Sequence, residues 1–141
     1  MQFLLSKSLR RLSRLYGQAL IKVMPELHLE HDADILLLLA SSSEVHTQKE
    51  ICETLQFDKS RVAILIEGLK QKGLIYTERN PADRRSHFVF LTGKGKDIVP
   101  EIQEAIDKVN CMINQQLDKT HLDYFYATLF QMQSNLVDVA V

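Results

Sequence analysis

The sequence predicts a mainly α-helical fold carrying one small β-hairpin, and three observations support this. Apolar residues recur at three- and four-residue steps through most of the 141-residue chain, the period of an amphipathic helix. β-branched and aromatic character is concentrated in two short runs, residues 74–79 and 87–91, separated by turn-forming residues with two arginines among them. Helix-capping chemistry stands in front of two short helical runs just before that hairpin. Helix, turn, helix and basic-tipped hairpin, in that order, are the parts of a winged helix-turn-helix. The length suits one domain, 1–141, in which a winged lobe over 30–96 lies between helices at 1–28 and 97–141 that serve dimerisation.

Taken in order, Leu5, Leu9, Leu12, Tyr16, Ala19 and Val23 form the stripe of a first helix that ends near Pro25. Residues 30–42 contain Ile35-Leu36-Leu37-Leu38-Leu39-Ala40, apolar all round, which predicts a helix buried in the middle of the fold. Ser41-Ser42-Ser43 reads as a loop rather than a nucleophile cluster, since no orienting base and acid stand near it. Thr47-Gln48-Lys49-Glu50 is a capping box, and Ile51 and Leu55 give the short helix behind it one apolar face. Asp58 then caps a second short helix. Val62, Leu65, Ile66 and Leu69 must face the core, which leaves Lys59, Ser60, Arg61, Ile64 and Lys70 pointing outward or flanking that stripe. Gly73 stops this helix.

Leu74 to Arg79 and His87 to Leu91 are the expected strands, joined by a turn over residues 80–86 that carries Arg84 and Arg85. A two-stranded hairpin is not stable alone in water, so it must pack on the preceding helix, which aims its tip along the surface that holds Lys59 and Arg61. Thr92 caps the long helix that follows. Ile98, Ile102, Ala105, Val109, Met112 and Gln116 step at near-heptad spacing, as do Leu122, Phe125, Leu129, Met132 and Leu136 behind an Asp118 cap. One chain of this length has little core left for both stripes. Pairing them, with the first helix, against a second copy gives a two-fold homodimer.

The formal net charge of −1 is unevenly spread. Five basic residues stand unopposed in the first 24 positions, and between Asp58 and Lys96 nine bases meet four acids, a net of +5. From Asp97 onward two bases meet seven acids, a net of −5. Local field governs attraction to phosphate more than total charge does, so the middle of the chain suits double-stranded DNA. Cys52 and Cys111 lack any paired spacing, which suggests a reducing compartment and a cytoplasmic protein. No apolar run approaches the ~18 residues of a membrane span, so no membrane partner is expected. The arginine-rich, acid-free N-terminus has the composition of a transit peptide, but its apolar stripe reads better as a structural helix.

Four segments in register, Asp58-Lys59-Ser60-Arg61-Val62, Lys72-Gly73-Leu74-Ile75, Asp83-Arg84-Arg85-Ser86 and Leu91-Thr92-x-x-Gly95, resemble the recognition helix, wing and following helix of the multiple-antibiotic-resistance regulator (MarR) family. The resemblance implies a homodimeric, ligand-responsive transcription regulator, with a helix in the major groove and a wing reaching the minor groove. It implies that Arg85 enters the minor groove with its guanidinium held by Asp83, and that Arg84 lies nearer the phosphates. An effector pocket between the dimer helices and the DNA-reading lobe would draw on residues such as Tyr16, Leu36 and Met112, which suit a small lipophilic or phenolic compound. Three positions depart from the family pattern. Ile64 and Gly68 stand where basic residues are common, and Arg61 where a small hydroxyl residue is frequent. DNA contacts on this helix are therefore expected from Lys59, Ser60, Arg61 and Ile64, with base readout resting on Arg61, suited to pairing with guanine, and on Ile64, suited to a thymine methyl.

Rival readings remain. His28, His31, Asp32 and Asp34, with His46, have the donor chemistry of a metal sensor, although scattered capping or surface residues explain them as well. Cys111 suggests a thiol switch, whereas Cys52 reads as packing. His121 is expected on the surface of the last helix's first turn. No phosphate loop, strong metal motif or nucleophile with its base is present, so no enzyme and no cofactor are expected. A winged helix that binds proteins rather than DNA is the competing function.

Overall fold

A computed structural model describes residues 4–27, 30–137 and 139. The elements run α1 (Leu5–Val23), α2 (Glu30–Ser41), β1 (His46–Thr47), α3 (Gln48–Leu55), α4 (Lys59–Gln71), β2 (Ile75–Asn80), β3 (Asp83–Leu91), α5 (Gly93–Ile113) and α6 (Lys119–Val137). They divide into two compact units, residues 1–109 and 110–141. The first holds α1 to α4, the sheet and most of α5; the second holds the end of α5 and α6.

In the first unit the core is built around α2, whose Ile35 and Leu36 are fully buried, but Leu37, Leu38 and Leu39 are only half-buried and Ala40 is exposed, so the run is not buried on every side as expected. Against it pack Ile51 of α3, the stripe Val62, Leu65, Ile66 and Leu69 of α4, and Ile75 and Val89 of the sheet. Leu20, Met24 and Leu27 near the end of α1, and Ile102, Ala105 and Val109 of α5, belong to the same buried cluster. The flanking helices therefore complete this core as well as offering surface elsewhere. Along α1 the stripe divides: Tyr16, Ala19 and Val23 pack against the core, while Leu5, Leu9 and Leu12 stay exposed. In the second unit, Asp118 caps α6 by accepting from the His121 amide at 2.9 Å, and its carboxylate lies 2.6 Å from the exposed His121 imidazole. No residue of α6 is buried, and Tyr124, Phe125, Tyr126 and Phe130 are exposed.

The sheet differs from the expected hairpin in two ways. It has three strands in the order β1-β3-β2, all antiparallel, because His46 and Thr47 pair with Val89 and Phe88. Two residues carry too little pattern to be recognised as a strand in sequence. The second difference is length. β3 begins at Asp83 rather than His87, and the tight turn is only Pro81-Ala82, braced by the Asn80 side chain accepting from the Ala82 amide at 2.9 Å. The register shifts after Arg79: that residue faces His87, but Asn80 already faces Asp83, so Arg84, Arg85 and Ser86 lie outside the β2 pairing.

Two glycines fix the joints around the hairpin. Gly73 has φ +72°, and α4 ends in a Schellman motif with Leu74 N–H donating to the Leu69 carbonyl at 3.0 Å and Gly73 N–H to Lys70 at 2.9 Å. Gly95, in the first turn of α5, sits so close to the strand's start that a Cβ there would lie 2.0 Å from the Leu74 carbonyl oxygen. Between them Thr92 donates its hydroxyl to the Gly73 carbonyl at 2.6 Å and accepts from the Gly95 amide at 3.0 Å. The spacing Leu91-Thr92-x-x-Gly95 is thus a close-packed knot that ties the end of α4 and both ends of the hairpin to α5.

Candidate nucleic-acid interface

The first half of the interface is α3, a three-residue turn and α4. Thr47 and Glu50 close the capping box from both sides, at 3.2 Å and 3.0 Å, which fixes where α3 starts. Gln56 leaves α3 in the left-handed region (φ 56°, ψ 37°), and Phe57 N–H donates to the Cys52 carbonyl at 3.1 Å, so the chain reverses sharply before Asp58. The Asp58 carboxylate accepts from the Arg61 amide at 2.7 Å and starts α4. With all four core-facing residues buried, Lys59, Ser60, Arg61 and Ile64 are left exposed, Ile64 by 68%. A large apolar side chain that bare on a capped, basic helix is available to meet an apolar ligand group such as a base methyl.

The second half is the wing. Arg84 and Arg85 are exposed on the unpaired stretch of β3. The Asp83 carboxylate accepts from the Arg85 backbone amide at 3.0 Å. It does not hold the Arg85 guanidinium, as the resemblance had implied: no ion pair joins Asp83 to Arg84 or Arg85 among the described residues. One carboxylate oxygen is used on the amide two residues on, which shapes the tip, and the arginine head groups stay exposed. Behind the tip Tyr76 of β2 stacks across the strands on Phe90 at 5.2 Å, and Phe88, two residues along β3, meets Phe90 edge-on at 6.4 Å; the cross-strand pair stiffens the hairpin.

A MarR-family profile matches residues 29–86, from the start of α2 to the wing. The Staphylococcus aureus HTH-type transcriptional regulator MgrA is 33% identical over 108 residues, covering 76% of this chain and 71% of that protein. This chain belongs to the MarR family. Among solved structures, the S. aureus MepR–DNA complex superposes with a TM-score of 0.86 at 24% identity, covering 93% of this chain and 97% of that one. Bordetella bronchiseptica BpsR, solved for the regulation of its DNA binding by 6-hydroxynicotinic acid, superposes at 0.78 with 21% identity and 91% coverage of each chain. The protein is accordingly a DNA-binding transcription regulator with the winged helix-turn-helix fold of its family, not an enzyme.

Within this MarR-family fold the other residues singled out in the sequence differ in their surroundings. Leu36 is a core side chain at 0% exposure, so it lines no open pocket here; a helix apolar on every side gives no sign of which face a ligand would meet. Tyr16 is half-buried and packs on the core, while Met112 is exposed in the second unit. Asp32 is not a surface residue: its carboxylate is 1% exposed and pairs with the Lys72 ammonium at 2.6 Å. His31 lies 3.3 Å from Asp34 and edge-on to Phe57, His46 is in β1, and His28 lies outside the described residues. Among the described residues no group of three or more His, Cys, Asp or Glu side chains could hold a metal. Cys52 is half-buried against the core and Cys111 exposed. Among the described residues no helix is long and apolar enough to cross a membrane.

Two contacts escape a reading of the sequence. The Arg61 guanidinium carbon stands 5.6 Å over the Phe57 ring, and Lys72 joins the end of α4 to α2 across forty residues. Phe57 is four residues before Arg61, a helical spacing, but a turn and a cap lie between them, so periodicity gives no reason to pair them. The Lys72 carbonyl also accepts from the Lys94 ammonium at 3.0 Å.

Proposed function

We propose that this MarR-family chain is a ligand-responsive repressor that binds an inverted-repeat operator as a homodimer. The observation that carries the reading is the exposed face of α4, where a capped helix presents Lys59, Ser60, Arg61 and Ile64 beside a wing with two exposed arginines. In this reading α4 enters the major groove. Arg61 pairs with guanine and Ile64 meets a thymine methyl, Arg85 enters the minor groove, and Arg84 and Lys59 face phosphates. The MepR–DNA complex supports the use of this fold on duplex DNA. The apolar surface left bare on α1, with Leu5, Leu9 and Leu12, and on α6, with Tyr124, Phe125 and Phe130, supports a second copy as its cover. Two-fold related α4 helices then meet successive major grooves about 10 base pairs apart.

The effector is a small lipophilic or phenolic compound, and regulation of BpsR by an aromatic acid supports that class. Such a compound changes operator affinity only by binding the DNA-competent and incompetent arrangements unequally.

The test is selection of duplexes from a random pool, followed by titration of the selected site and of random duplex at several salt concentrations. A two-fold symmetric consensus and a steep fall of affinity with salt are expected. Failure to enrich any sequence, with a flat salt response, would overturn the reading in favour of a protein-binding winged helix.

A further inference from the structure

We infer that Phe57 is a specificity-determining residue, which acts by positioning the Arg61 guanidinium for base readout. The inference rests on the proposed role of Arg61. An arginine on an exposed helix face has four rotatable bonds and samples many directions, so bidentate pairing with one base edge is costly unless something restricts it beforehand. Two contacts restrict it here. The Asp58 carboxylate holds its backbone amide at 2.7 Å, fixing where the side chain leaves the helix. The Phe57 ring lies 5.6 Å beneath the guanidinium carbon and gives that flat cation a flat, electron-rich surface to rest on.

The ring is itself held. Gln56 in the left-handed conformation and the Phe57 amide bond to Cys52 fix the backbone, the side chain packs against the buried core, and the His31 imidazole meets the ring edge-on at 4.8 Å and 67°. The cation therefore rests on a support anchored in the core rather than on another mobile surface side chain. A hydroxyl residue at position 61 would have no use for that support. Phe57 and Arg61 make sense as a pair, the ring limiting the directions the guanidinium can sample before DNA arrives.

The experiment uses full-length protein and its selected operator, with duplexes carrying single base changes, read by fluorescence anisotropy. Arg61→Ala first identifies the base pair whose discrimination depends on the guanidinium. Phe57→Leu is expected to lower discrimination at that same base pair by about threefold to fivefold, the size of an exposed cation–π contact, and to leave the salt dependence unchanged. In an Arg61→Ala background the same substitution is expected to have no further effect there. Phe57→Tyr keeps the ring face and is expected to retain full discrimination. Phe57→Met fills similar volume without a π face and replaces the leucine variant should that one unfold.

Full discrimination in Phe57→Leu or Phe57→Met, or an equal loss with and without Arg61, overturns the role of Phe57. Arg61→Ala with unchanged discrimination at every base pair overturns the reading of Arg61 beneath it, and with it this inference. A wild-type protein that selects no sequence overturns the DNA assignment as a whole.

Discussion

The Asp32–Lys72 pair makes an unequal prediction for its two partners. The ions touch at 2.6 Å, but the Asp32 side chain is 1% exposed and the Lys72 side chain 27%. Lys72→Met strands a carboxylate inside the protein, and breaking a buried pair in this way costs about 3 kcal/mol or more. Asp32→Asn leaves a neutral amide in the same space, and the ammonium, already part-way to water, turns outward; about 1 kcal/mol is expected. For a chain of this size those losses correspond to falls in Tm of roughly 10 °C and 3 °C. The assay is urea unfolding followed by far-UV circular dichroism at one fixed protein concentration, because self-association shifts apparent stability by mass action. The double variant Asp32→Leu/Lys72→Met, with neither ion left, is expected to recover most of the loss suffered by Lys72→Met. Equal losses in the two single variants, or a larger one for Asp32→Asn, would refute the reasoning from unequal burial.

Four further outcomes follow from the geometry. Gly95→Ala must displace the Leu74 carbonyl, since its Cβ would lie 2.0 Å away, and is expected to cost about 2–3 kcal/mol, whereas Gly68→Ala has open space inside α4 and should stabilise by about 1 kcal/mol; urea unfolding reads both. Arg85→Ala should weaken operator binding at least tenfold by anisotropy while leaving the Tm and the elution volume on a sizing column unchanged, because the exposed side chain has no ion-pair partner among the described residues. Truncation after Ile113 removes α6, which buries nothing, and should leave a folded protein that sediments as a monomer; a dimeric truncation would place the self-association surface elsewhere.

What the sequence made legible is what short-range physics decides. The capping box at Thr47, the cap at Asp58, the buried stripe of α4 and the left-handed Gly73 each depend on residues within one or two turns of helix, and each is found where the pattern puts it. Long-range partners were not legible. Asp32 reads in sequence as one member of an acidic and histidine-bearing helix start; only folding brings Lys72, forty residues later, to within 2.6 Å of it. The two-residue β1 exists because Val89 and Phe88 offer it an edge, not because His46-Thr47 carries strand character. Arg85 and Asp83 show the limit of inference by likeness. The residue types were identified, but the Asp83 carboxylate, expected to hold the Arg85 guanidinium, accepts instead from the Arg85 backbone amide.

These contacts also constrain how any signal crosses the DNA-reading lobe. The end of α4 is joined to the hairpin and to the start of α5 by Gly73, Thr92 and Gly95, with a backbone approach at Leu74 that leaves no room for a methyl group. Lys72 adds an ion pair to α2, and Phe57, at the other end of α4, meets His31 of the same helix. The helix is therefore gripped at both ends by neighbours within one packed core, and tightly packed cores switch between discrete arrangements rather than bend gradually. Repositioning α4 relative to the wing would require breaking the Thr92 bridge, whereas helix, wing and α2 can move together with the Thr92 bridge and the Asp32 pair intact. A response to an effector is thus expected to carry α4 and the wing as one body, changing the spacing of the two reading heads in a dimer while each head keeps its sequence preference. Operator half-sites selected with and without effector should then agree in sequence and differ in affinity; a changed half-site sequence would show that the grip on α4 gives way first.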